Sequence, residues 1–163
     1  MSDSAGPVRL SASLTGTAGA PVLVLGNSVG TTSELWQAQL AALGARFRLL
    51  RYEHRGHGGS PAPPGPYSIA GLGTDVLRLL DRYEIETASY CGVSLGGMVG
   101  MWLAANAPSR IGALALCCTS ARLAPAQMWT DRAALVRSAG MAAVSKQAAG
   151  RRSMAAIASQ QPA

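Results

Sequence analysis

The sequence predicts an α/β fold: a mostly parallel sheet with helices on both faces. Three observations carry that expectation. Short continuous apolar runs, PVLVL at 21–25 and IGALALC at 111–117, read as strands covered on both sides. These runs alternate with segments whose apolar residues recur at helical spacing, the pattern of right-handed crossovers onto a parallel sheet. Between them, a β-rich run meets a glycine-flanked serine, in CGVSLGGMVG at 91–100, that opens an apolar helix.

The elements follow in order. Val8–Leu14 alternates apolar and polar residues and fits a half-exposed strand. The turn TGTAGAP precedes the buried strand Pro21–Leu25. The loop GNSVGTTS leads into a helix with Leu35, Trp36, Leu40 and Leu43 on one side, and Gly44 is placed as its C-cap. Phe47–Tyr52 is the next strand. A Gly/Pro-rich loop, RGHGGSPAPPGPYS, then joins an amphipathic helix, Ala70–Arg82, whose apolar face is Leu72, Val76, Leu79 and Leu80, continued by Tyr83. On this helix Asp75 and Asp81 are expected to face solvent. Ala88–Val93 is a strand, Leu95–Ala107 an apolar helix stopped by Pro108, and Ile111–Cys117 a further buried strand. Residues 1–124 therefore form one body. Gln127–Val144 reads as helix with Trp129, Leu135 and Val136 as anchors, and Ser145–Ala163 as a frayed or disordered tail.

With 48% apolar and 13% charged residues among 163, the chain has enough apolar surface for one sizeable core. The net charge of +6 does not point to nucleic acid. Residues 1–130 carry nine Lys/Arg against seven Asp/Glu, whereas 131–163 carry five against one. The excess thus sits in the last segment, with no basic stripe interleaved with aromatics. No apolar run approaches the ~20 residues of a membrane span, and the N-terminus lacks the pattern of a secretory signal. Cys91, Cys117 and Cys118 are odd in number and lack metal-ligand spacing, so they read as buried thiols of a reducing cytoplasm.

The chemistry is expected at Ser94. Gly92-Val93-Ser94-Leu95-Gly96 matches G-x-S-x-G, and its strand-to-helix setting makes it a nucleophile turn. Such a turn is too tight for side chains at the flanking positions, so glycines stand there. It lifts the Ser94 hydroxyl above the sheet and presents the Leu95 backbone N–H, at a helix N-terminus, to an oxyanion. The loop after PVLVL should give a second donor, and the Val29 N–H of Asn27-Ser28-Val29-Gly30 is placed for it.

LGNSVGTTSELW, YEHRGHGGSPAP and CGVSLGGMVGMWLAANAPSRI resemble the α/β-hydrolase fold. Together with ARLAPAQMWTDRAALVRSAGMAAV they resemble the 3-oxoadipate enol-lactonases of aromatic catabolism, from about Val8 to Val144. The Asn-Ser pair is the more specific part, since most relatives of the fold have His-Gly there. The resemblance implies hydrolysis of the enol-lactone to 3-oxoadipate in the β-ketoadipate pathway. Ser94 would attack, the Val29 and Leu95 amides would hold the oxyanion, and neither metal nor organic cofactor would be required. It also implies that 125–144 begins a lid, that the R-G-H-G loop supports the site structurally, and that Glu53, where Asp is more usual, alters loop packing. An anionic lactone calls for a nearby arginine, for which Arg55 and Arg122 stand only by rough position.

A serine nucleophile also needs a base and a carboxylate, which in this fold follow it in the chain. After Ser94 the sequence has one acid, Asp131, read as a helix N-terminal charge, and no histidine. The two histidines, His54 and His57, both precede it. The sequence is therefore expected to be a truncated catalytic domain lacking the last strands of its sheet, with base and acid absent. IGALALC would then be an edge strand open to self-association. Alternatives are a general carboxylesterase or haloperoxidase-like hydrolase, a non-catalytic binding module of the same fold, and a fragment completed by another polypeptide.

Overall fold

The structure is a computed structural model that describes residues 6–122 and 125–149. It divides into two compact units, Met1–Ala121 and Arg122–Ala163.

The first unit is built on a five-stranded sheet of order β1-β3-β2-β4-β5. The strands are β1 (Ala12–Thr15), β2 (Val22–Gly26), β3 (Arg48–Tyr52), β4 (Ala88–Val93) and β5 (Ile111–Cys117). β1 runs antiparallel to β3, and all other pairings are parallel. The strand pattern beginning at Val8 therefore yields a shorter strand that starts at Ala12. Ser11 still pairs, its carbonyl accepting the Glu53 N–H at 2.9 Å.

Alternation along β2 sets up two cores. Val22 and Val24 join Leu50, Tyr52 and Tyr90 on one face, against α2 (Ile69–Arg82) and α3 (Leu95–Asn106). Leu23 and Leu25 join Leu49 on the other, against Trp36, Leu40 and Leu43. Helices thus cover both faces. Ser68 caps α2, its hydroxyl accepting the Gly71 N–H at 3.0 Å.

Two expectations about the segment after β2 are corrected. It is a 3₁₀ helix over Ser33–Gln39 followed by a single α-turn, α1 (Leu40–Gly44). Leu35 is 42% exposed, because three residues per turn rotate it off the face that Trp36 buries. Gly44 is the last helical residue, and Ala45 caps the turn in ordinary right-handed geometry. β5 is the edge of the sheet among the described residues, as expected, but it is not the buried strand that its apolar run suggests: none of its residues is fully buried and Leu116 is 44% exposed. Cys91 and Cys117 are half-buried rather than buried, and Cys118 is exposed at φ 45°.

In the second unit, α4 (Ala126–Ala149) is interrupted at Gly140 (φ 72°, ψ 174°). Trp129, Leu135 and Val136 are half-buried. The expected tail beyond residue 149 lies outside the described residues. No helix among the described residues is long and apolar enough to cross a membrane.

Candidate active site

The connection leaving β2 goes to one face of the sheet and the connection leaving the adjacent β4 to the other, given the two cores above. Their C-terminal ends therefore diverge and leave a crevice, where open α/β sheets place their ligands. Both predicted site segments lie there: Asn27–Gly30 follows β2, and Ser94 follows β4.

Ser94 adopts φ 52°, ψ −111°, a conformation costly for a residue with a Cβ, on the order of 1–3 kcal/mol. Its surroundings hold it there. The Ser94 N–H donates to the Cys117 carbonyl at 3.0 Å. Its own carbonyl accepts the Thr119 hydroxyl at 2.7 Å and the Met98 N–H at 3.0 Å. The flanking glycines answer to close approach. A Cβ on Gly92 would lie 2.4 Å from the Gly96 carbonyl carbon, and one on Gly96 would lie 2.4 Å from that of Gly26. Leu95 opens α3, so its N–H has no intrahelical acceptor.

The Asn27 loop is tied to this turn and to the R-G-H-G loop. The Gly96 N–H donates to the Asn27 carbonyl at 2.9 Å, and His54 Nε2 donates to the same oxygen at 3.1 Å. The fully buried Asn27 side chain donates to the Tyr52 carbonyl at 2.7 Å and to Glu53 Oε2 at 3.3 Å, and accepts from Trp36 Nε1 at 2.9 Å. Every polar position of the carboxamide is used, a demand that asparagine meets and an apolar residue could not. Glu53 Oε1 also accepts the Ser33 N–H at 2.9 Å, so this carboxylate joins both ends of the loop. Farther on, the Gly30 N–H donates to His57 Nε2 at 2.8 Å. The Val29 N–H has no acceptor among the described residues.

Neither histidine hydrogen-bonds Ser94. His54 is buried, and desolvation lowers its pKa to about 4, so it is neutral at ordinary pH. Both ring nitrogens of His57 are engaged, Nε2 with Gly30 and Nδ1 with the Arg55 carbonyl at 3.0 Å. Asp131 is exposed on α4, where it accepts from Gln127 Nε2 at 2.7 Å.

Two expectations about charges are corrected. Asp75 does not face solvent. It is 1% exposed and forms a bidentate ion pair with the equally buried Arg55, through Nε to Oδ2 and through Nη2 to Oδ1, the latter at 2.8 Å. The same pair removes Arg55 as a group free to meet a substrate. A carboxylate in the middle of an apolar helical face gives no sign of its partner twenty residues earlier. Asp81 is on the exposed side, bonded to Arg110 at 2.7 Å. Thr119 and Tyr90 also bond the turn. Tyr90 donates its hydroxyl to the Gly96 carbonyl at 3.0 Å, and no sequence pattern marks either residue.

A strained serine between a parallel strand and a helix, at a switch point of the sheet, defines a class of protein. The chain belongs to the alpha/beta hydrolase fold family, which matches over residues 21–141. Within it, the chain is similar to 3-oxoadipate enol-lactonase 2 of Acinetobacter baylyi, 42% identical over 144 residues, 88% of this chain and 54% of that protein. Among solved structures it resembles the enol-lactonase from Burkholderia xenovorans LB400, at 44% identity and a TM-score of 0.86, over 88% of this chain and 56% of that one. It also resembles a hydrolase from Pseudomonas aeruginosa PA01, at 54% identity and a TM-score of 0.79, over 81% and 50%. The chain spans about half the length of these relatives.

Proposed function

We propose that this chain carries the nucleophile and oxyanion half of a serine hydrolase whose substrate is 3-oxoadipate enol-lactone. The observation that carries the reading is the strained Ser94 turn, bound through the Gly96 N–H to the Asn27 carbonyl at the switch point. The likeness to enol-lactonases supports the choice of substrate.

In this reading Ser94 Oγ attacks the lactone carbonyl carbon. Charge develops on the carbonyl oxygen, where the Leu95 N–H and the Val29 N–H stabilise it without reorganising. The ring C–O bond breaks, the enolate oxygen leaves and the released enol becomes the ketone. Water then cleaves the acyl-serine. A base must take the Ser94 proton and return it to the leaving oxygen. His54 and His57 are both committed elsewhere, so the proposal assigns base and acid to polypeptide outside these 163 residues.

The test is enol-lactone turnover by the chain supplemented with the uncovered C-terminal part of the Burkholderia enol-lactonase, with Ser94→Ala as control. The expected result is hydrolysis that the substitution abolishes. Turnover unchanged in Ser94→Ala would sink the proposal. Faster cleavage of simple aryl esters would reassign the site to a general carboxylesterase, and ligand binding without hydrolysis by either protein would reassign it to a binding module.

A further inference from the structure

We propose that His57 is a positioning residue for the oxyanion loop, a neutral imidazole that fixes the Gly30 amide so that the preceding amide, Val29, stays free for the substrate. This rests on the reading of Val29 as an oxyanion donor.

The two bonds to the ring determine its state. A backbone N–H can only donate, so His57 Nε2 must offer its lone pair to Gly30 at 2.8 Å. A carbonyl can only accept, so Nδ1 must carry the proton that goes to Arg55 at 3.0 Å. The ring is therefore a one-proton adaptor between two loops, and its lone pair is not available to activate a serine. Arg55 is itself anchored by the buried Asp75 on α2. The path from the helix to the oxyanion loop is thus Asp75, Arg55, His57 and Gly30.

The loop has reason to need this restraint. Gly30 sits at φ 75°, the left-handed region, at the end of a turn in which the Thr31 N–H and hydroxyl both reach the Ser28 carbonyl, at 3.3 and 2.9 Å. Glu53 holds the far end through Ser33. Between these points the Thr31 hydroxyl holds the Ser28–Val29 peptide from within the loop, and His57 holds the following Val29–Gly30 peptide from outside it. Without it the Val29–Gly30 peptide is free to rotate about the Val29 backbone torsions, which lets the adjoining Ser28–Val29 peptide and its N–H shift, and the Gly30 N–H competes as a donor in the wrong place.

The test is NMR on the ¹⁵N-labelled chain. A scalar coupling across the hydrogen bond is expected between the Gly30 amide nitrogen and His57 Nε2, with the proton on Nδ1. In His57→Leu the Gly30 amide should exchange with solvent about tenfold faster, the worth of one net hydrogen bond. The Val29 amide resonance should move with it. His57→Gln, whose side-chain oxygen can accept in place of Nε2, should bring both back toward the parent. A merely structural role would change the melting temperature without this rescue. Absence of the coupling in the parent overturns the proposal, as does a Val29 amide indifferent to His57→Leu. Ser94→Ala should leave the coupling intact. A coupling that is present while lactone hydrolysis survives Ser94→Ala would therefore refute the hydrolase reading and leave the loop restraint standing.

Discussion

His54 makes the stability of this protein depend on pH in a window where most proteins are indifferent. Burial lowers its pKa to about 4 from an ordinary 6.5, and the ring donates from Nε2 to the Asn27 carbonyl that also holds the Ser94 turn. As pH falls below 6.5 the unfolded chain takes up a proton at this residue that the native state refuses. The unfolded state binds more protons, so stability rises with pH across the window and is lost on acidification. Integrating between pH 7.5 and 5 gives a loss of about 2 kcal/mol from this one ring, growing to about 3 kcal/mol at and below pH 4. The perturbation is His54→Gln, which keeps a donor and removes the titration. The assay is urea unfolding followed by circular dichroism at several pH values from 7.5 to 5. The parent midpoint should fall toward acid with an unchanged slope, and the unfolding free energy of the variant should fall by about 2 kcal/mol less than that of the parent. Parent and variant falling in parallel would refute the reasoning.

Two other substitutions test the packing of the site. Gly96→Ala would drive a methyl group to 2.4 Å from the Gly26 carbonyl carbon and oxygen and 2.9 Å from the Asn27 nitrogen, all backbone. The gain in helix propensity, ~1 kcal/mol, is outweighed by overpacking, and a net loss of about 2 kcal/mol is expected in the same urea assay. Asp75→Asn leaves Arg55 buried and charged, and should cost about 3–5 kcal/mol, while the double replacement Arg55→Met with Asp75→Leu should recover most of that loss.

Much of this was legible in the sequence because it is local. The period of apolar residues located β4 and α3 almost to the residue, and the run PVLVL announced a strand with neighbours on both sides. The glycines around Ser94 carried the turn in their spacing: the contacts that exclude a Cβ at Gly92 come from Gly96 and Gly97 within the motif, while those at Gly96 come from Gly26 and Asn27 at the end of the neighbouring strand β2. The Asn-Ser pair was part of the likeness to the enol-lactonases, to which the chain is similar.

What the sequence could not decide is everything set by which strands became neighbours. Asp75 looked like a solvated charge because of its charge alone, although its spacing from Leu72 and Leu79 puts it on the apolar face; what the spacing cannot name is the loop that supplies its partner. Only the docking of the R-G-H-G loop buried it against Arg55. Both histidines were equivalent by pattern. Tertiary structure gave His54 to the Asn27 carbonyl and His57 to the Gly30 amide, because hydrogen bonding depends on angstrom-scale placement that no spacing encodes. The expected edge position of IGALALC is what the structure has among the described residues, whereas the cover that its apolar composition predicts is missing, since cover is supplied by neighbours and not by the strand itself. Local chemistry thus determined the elements and the serine turn, while the order of the strands determined where the turn stands and which side chains hold it.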